Sequence, residues 1–244
     1  MLLNCDLGES YGNWRMGLDE EVMPFLDQAN LACGFHGGDP LTIEKTLRLA
    51  AAHGVTVGAH PAYPDLVGFG RRSMAMSPEE LRSALLYQIA AIDGMANTLG
   101  VSIDYVKPHG ALYNDMMANT GIRDTIMRTV ADYPKPLKLM LQATVEAERH
   151  REEASKLDLA LLFEAFADRC YDDDGRLLSR RKAGAVHNKA RMLAQVEQLA
   201  TASTVTTVSG DTLTLQVDSL CVHGDNAEGV QAIQDIRKLL TVAA

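Results

Sequence analysis

The chain is short of the features that settle a protein's class at a glance. It has four cysteines in 244 residues (Cys5, Cys33, Cys170 and Cys221) and no CxxC spacing. That excludes a disulfide framework and leaves reduced, buried thiols as the simplest reading. Cys5 alternates with Asn4 and Asp6 in an apolar run, so it is expected to face away from them. Cationic side chains are outnumbered, 23 Lys and Arg against 32 Asp and Glu, for a formal charge of −9. No basic stripe is available for nucleic acid or for an anionic membrane surface. No apolar run approaches the roughly 18 residues a bilayer demands, and no charged segment leads into a secretory-type apolar run. A cytoplasmic protein without a membrane span is expected. GxxxxGK[ST], GxSxG and HExxH are all absent, so the standard P-loop, the serine elbow and the helical zinc motif are unsupported. No low-complexity stretch, charge block or linker interrupts residues 1–244, which predicts a single domain.

What the chain does have is apolar runs that finish in polar clusters. LLNCDLGE (2–9), NLACGFHGGDP (30–40), VTVGAHPAYPD (55–65), YVKPHGALYN (105–114), LLFEAFADR (161–169) and LCVHGDN (220–226) each end in Asp, Glu, His, Lys or Asn. Near-continuous apolar runs are how buried parallel strands read. Strands are expected at 2–6, 29–33, 55–59, 104–107, 137–141, 158–164 and 219–222. Helical segments are expected between them, at 18–27, 40–53, 77–99, 110–133, 144–156, 187–200 and 226–240. Asp39-Pro40 has the form of an N-cap followed by proline at the first helical position, and Ser77 with Glu80 has capping-box spacing. A polar, basic loop is expected over 171–185, and a rim hairpin around Ser209-Gly210-Asp211. Seven strands with helical crossovers fit a seven-stranded parallel β/α barrel or an open doubly wound sheet. The barrel is favoured because polar strand ends recur along the whole chain, whereas an open sheet gathers its site at one switch point.

Alternate residues of a strand share a face. Asn4 with Asp6, Lys107 with His109, and His223 with Asp225 should therefore project together, and Glu164 with Asp168 if their strand continues. Each pair alone is equally well read as strand-end hydrogen bonding. Asp6, His36, His60 and His109 form a candidate set for a divalent metal, with metal-free acid–base histidines as the alternative. Gly68-Phe69-Gly70-Arg71-Arg72 combines flexible backbone with two guanidinium forks and reads as an anion site. His36-Gly37-Gly38-Asp39 resembles a phosphate turn before a helix N-terminus.

The segments NCDLGESYGNW (4–14), ANLACGFHGGDP (29–40), VGAHPAYPDLVGFGRR (57–72), VKPHGALYN (106–114), EAFADRCY (164–171) and CVHGDN (221–226) resemble the A-subunit family of the bacterial 5-oxoprolinases, formerly called lactam-utilisation proteins. The resemblance implies a barrel like those of the glycoside hydrolase/deacetylase group. It also implies opening of 5-oxoproline to glutamate with ATP as co-substrate, and two partner subunits, B and C. The lining it suggests is Asp6, His36, His60, Lys107, His109, Glu164, Asp168, His223 and Asp225, with Arg71 and Arg72 beside it. Physical argument then distributes roles. Asp6 or Glu164 is expected as base, His109 as acid, and Lys107 as oxyanion partner. Asp225 is counted with the catalytic group. Asn4, His36, His60, Arg71, Arg72, Asp168 and His223 are expected to bind substrate. Two rival readings are a metal-dependent sugar deacetylase and a non-catalytic scaffold protein of the complex.

Overall fold

The computed structural model describes residues 1–179, 182–223 and 227–242. Seven parallel strands close a barrel in the order β1 (Leu2–Leu7), β2 (Gln28–Ala32), β3 (Thr56–His60), β4 (Ile103–Val106), β5 (Lys138–Gln142), β6 (Leu161–Phe166) and β9 (Ser219–Val222), with β9 pairing both β6 and β1. The barrel that the polar strand ends predicted is therefore present. Its crossovers are α1 (Asp19–Val22), α2 (Pro40–His53), α3 (Pro78–Thr98), α4 (Gly110–Ala118) with α5 (Thr120–Ala131), α6 (Ala147–Ser155) and α7 (Lys189–Ala202), and α8 (Ala227–Val242) follows β9. A short antiparallel hairpin, β7 (Thr204–Thr206) and β8 (Thr212–Thr214), lies between α7 and β9.

Period-two alternation divides each strand between two environments. Leu3, Cys5, Leu7, Ala29, Leu31, Val57, Ala59, Leu139, Leu141, Phe163 and Leu220 point outward into the apolar layer beneath the helices. Cys5 is among them, as its alternation required. The inward positions are mostly polar: Asn4, Gln28, Asn30, Glu164 and Ser219 are all buried and hydrogen-bonded or ion-paired across the barrel. Burying such groups is tolerable only because each is satisfied. Asn4 Nδ2 donates to Ser219 Oγ at 2.7 Å, and Ser219 Oγ donates to Gln28 Oε1 at 2.7 Å. Tyr105 crosses the interior and donates to Asn30 Oδ1 at 2.6 Å. Its ring occupies the space a side chain at Gly58 would need. Glycine on β3 is thus the partner of a tyrosine on β4 in filling the barrel.

One helix differs from expectation. Residues 18–27 hold only the four-residue α1, then a 3-10 turn over Met23–Phe25 and an extended approach to β2. Pro24 has no N–H to continue the α-helical ladder, so the turn tightens and stops. β6 begins at Leu161 rather than 158, after Asp158 adopts a left-handed turn with φ of 51°.

Candidate active site

A cavity of about 860 Å³ opens at the carboxyl ends of the strands. Its wall includes Asp6, Glu9, His60, Phe69, Arg71, Lys107, His109, Tyr113, Gln142, Phe166, Arg169, Arg176 and His223. At its floor Lys107 Nζ sits between two carboxylates, 2.9 Å from Asp6 Oδ1 and 2.7 Å from Glu164 Oε1. Burial works against a charged ammonium, but Asp6 above all, with Glu164, holds Lys107 protonated well above its ordinary pKa. Burial would raise the Asp6 carboxyl, and the neighbouring His60 and Lys107 overcome it and hold the group well below the usual carboxylate range. Glu164 also accepts a hydrogen bond from Tyr113 Oη at 3.0 Å. Cys221 Sγ lies 3.4 Å from Lys107 Nζ, yet burial keeps its thiol pKa far up, so it is a neutral filler of the floor and no nucleophile.

Beside this cluster three imidazoles meet. His36 and His109 stack with ring centroids 3.7 Å apart, and His60 stands edge-on to both. His60 Nδ1 donates to the Lys107 carbonyl at 2.7 Å, and His109 Nε2 donates to the Phe69 carbonyl at 3.0 Å. Burial pulls the pKa of His36 and His109 well below the ordinary value, helped by His60 at His36 and by His36 and His60 at His109. Glu9 closes the group: its Oε1 is 3.1 Å from His36 Nε2 and 3.5 Å from His109 Nδ1.

The glycine-rich segments build this cluster by close packing. A Cβ at Gly37 would meet the Glu9 carbonyl at 2.6 Å, and Gly38 N donates to the Ser10 carbonyl. The turn expected to cradle phosphate is therefore filled by the loop that carries Glu9, and Asp39 caps α2 through Leu41 N and Thr42 N. In Gly68-Phe69-Gly70 the backbone N–H groups serve the loop itself: Gly68 N donates to the Asp65 side chain and Gly70 N to the Asp65 carbonyl. Gly70, at φ of 63°, lets the loop lie against His109 and His36, because a Cβ there would come within 2.9 Å of His109 Cδ2. The anion site read into that segment reduces to Arg71, which reaches the cavity wall over the Phe69 ring. Arg72 turns away and pairs with Asp65.

The sequence candidates thus separate. Asp6, His60, Lys107, His109 and Arg71 meet at the cavity, with His223 on its wall. Asn4 and Glu164 lie in the barrel interior just below, bonded to the floor residues, and His36 lies behind His109. β6 stops at Phe166, short of Asp168, which pairs with His223 at 3.1 Å. Asp225 falls outside the described residues. Of the expected metal set, His36, His60 and His109 gather with Glu9, their donor atoms within 4.8 Å of one another, and Asp6 Oδ2 stands 3.3 Å from His60 Nε2. Strand-end spacing does not point to Glu9, Tyr113, Gln142, Arg169 or Arg176 as a group. Among these, Gln142 was within reach as the last residue of an apolar strand.

The profile of the LamB/YcsF family matches residues 1–244. The chain belongs to this family. Within it, a Pseudomonas putida protein named as a 5-oxoprolinase A subunit is 55% identical over 98% of this chain and 93% of its own length. A Chromohalobacter salexigens protein of the same designation is 53% identical over 97% of this chain and 95% of its own. The crystal structure of a lactam utilization protein from Thermus thermophilus superposes with a TM-score of 0.91 at 38% identity, covering 100% of this chain and 96% of the other. The barrel is that of the family. No described helix is long and apolar enough to cross a membrane.

Proposed function

We propose that this chain is the A component of an ATP-dependent 5-oxoprolinase and that the cavity opens the lactam ring to give glutamate. Near-full-length similarity to relatives named for that component carries the reading. The site supports it with a fixed cation beside a low-pKa carboxylate at the bottom of a cavity roomy enough for a phosphorylated lactam.

An unstrained amide needs activation before water attacks it. Phosphorylation of the lactam oxygen by ATP supplies that activation. This chain has no phosphate-cradling loop among the described residues, so the phosphate donor is assigned to the partners, B and C. In the cavity, Asp6 takes a proton from water as its oxygen bonds to the ring carbon. The C–N bond then breaks as the added hydroxyl becomes a carbonyl; its proton and the one held by Asp6 leave on the nitrogen as an amine, and a second water hydrolyses the acyl phosphate to glutamate and phosphate. Lys107 stays charged throughout and sets its positive charge against the anionic tetrahedral adduct, a contribution worth several kcal/mol when preorganised. Arg71 binds the substrate carboxylate or the phosphate. His109, whose N–H is committed to the Phe69 carbonyl, is not assigned the acid role its spacing suggested.

A scaffold lacking chemistry fits less well. Lys107, Asp6 and Glu164 are an ionic cluster at the barrel floor, and such clusters are a weak source of stability. The test is glutamate production from 5-oxoproline and ATP with this chain and both partners. Asp6→Asn should lower turnover by about a hundredfold or more while the complex still assembles. Near-normal turnover by that variant, or glutamate made by the partners alone, removes this site from the reaction.

A further inference from the structure

The two carbonyl contacts of the histidine cluster fix its tautomers. A carbonyl oxygen only accepts, so His60 carries its proton on Nδ1 and His109 carries its proton on Nε2. The remaining ring nitrogens, His60 Nε2 and His109 Nδ1, are the ones left to bind a ligand. These two atoms face each other at 3.0 Å. Glu9 Oε1, a third acceptor, lies 3.5 Å from His109 Nδ1. Asp6 Oδ2 adds a further acceptor 3.3 Å from His60 Nε2, and acceptors gathered this closely repel unless something positive lies among them.

We propose that Glu9, His60 and His109 are the ligands of one divalent first-row metal ion, zinc foremost. An ion bonded at about 2.1 Å holds tetrahedral donors roughly 3.4 Å apart, close to the 3.0 and 3.5 Å that separate His109 Nδ1 from His60 Nε2 and Glu9 Oε1. His60 and His109 also have what metal-bound histidines nearly always have, a backbone acceptor on the second ring nitrogen. His36 lacks one: its Nδ1 is buried without a partner among the described residues, while its Nε2 approaches Glu9 Oε1. His36 is therefore the residue that orients Glu9, and it is no ligand. Asp6 Oδ1 is held by Lys107 and Asn30, and Asp6 Oδ2 stands 3.3 Å from His60 Nε2; Glu9, whose oxygen clusters with all three imidazoles within 4.8 Å, is taken as the carboxylate of the set, and the Asp6 and Glu9 variants below decide between the two. All three ligands line the cavity, so an ion with three protein ligands keeps a position open to it, the arrangement of catalytic metal sites. The assignment stands apart from the lactam reading, and metal binding is measured without substrate or partners.

The purified chain, stripped with chelator, is titrated with Zn²⁺ by calorimetry and with Co²⁺ by visible absorption. One equivalent should bind, with the Co²⁺ bands of a low-coordinate N/O site. His60→Gln, His109→Gln and Glu9→Gln should each abolish one-to-one binding while melting as folded proteins. His36→Gln should keep the stoichiometry and weaken affinity by about 10- to 100-fold. No saturable binding by the parent chain would overturn the proposal, as would undiminished binding by His60→Gln and His109→Gln. In that event the two imidazoles share a proton, which nitrogen chemical shifts would register. Loss of binding by Asp6→Asn with retention by Glu9→Gln would overturn the ligand set.

Discussion

Lys107 keeps its charge where charge is costly. Its ammonium is buried under the cavity with one carboxylate on either side, and Glu164 has no contact with solvent. Removing one member of such a group strands the others. Lys107→Met should lower stability by about 3–5 kcal/mol in urea unfolding. Adding Glu164→Gln to that variant should recover part of the loss, because a buried carboxylate without its cation is then also gone. Equal loss in the single and double variants would mean the pair is not energetically joined. Residue-scale spacing finds this group well. Asp6, Lys107 and His109 sit at alternate positions near strand ends, where the pleat alone says which way they point. Glu9 escapes the rule because Gly8, at φ of 68°, turns the chain after β1 and breaks the alternation. Tyr113 escapes it because it reaches the floor from α4, beyond anything strand periodicity describes.

Among the elements, the strands are easier to read than the turns between them. A buried parallel strand announces itself by a run of apolar residues, and all seven barrel strands overlap their expected positions. Turn chemistry misleads where glycine serves close packing. HGGD and GFGRR have the composition of anion loops, yet their glycines allow two loops to touch and bring Glu9 and the Phe69 carbonyl to the histidines. Only the neighbouring loop distinguishes these two uses, and a lone segment does not contain its neighbour. The same logic makes Gly58 a test of the barrel interior. Gly58→Ala would drive a methyl group into the Tyr105 ring. It should destabilise the protein by about 1–3 kcal/mol, with Tyr105→Phe failing to relieve it and Tyr105→Leu relieving most of it. Unfolding by denaturant would measure all three, and a neutral Gly58→Ala would show that the ring has room to move.

At the scale of the whole molecule, the ends of the chain hold each other. Arg237 on α8 donates to the Phe25 carbonyl at 2.7 Å and to Asp27 Oδ2 at 2.7 Å, and the same carboxylate oxygen accepts from Leu3 N. One guanidinium thereby ties the last helix to the first two strands. Arg237→Ala should lower stability by about 1–3 kcal/mol, the range for hydrogen bonds to charged groups. Amide exchange should quicken first in α8 and β1; uniform quickening over the barrel would contradict a local tie. No local pattern forecasts this contact, since its partners are separated by 210 positions or more in sequence.

Ring closure has a temporal side. Asn4 bonds Ser219 across 215 positions, and Lys107 meets Cys221 on the same final strand. While the ribosome is still making the chain, the first strand has nothing to close against and the floor of the cavity lacks one side. The floor of the cavity is therefore completed late in biosynthesis, once the last strand joins the first.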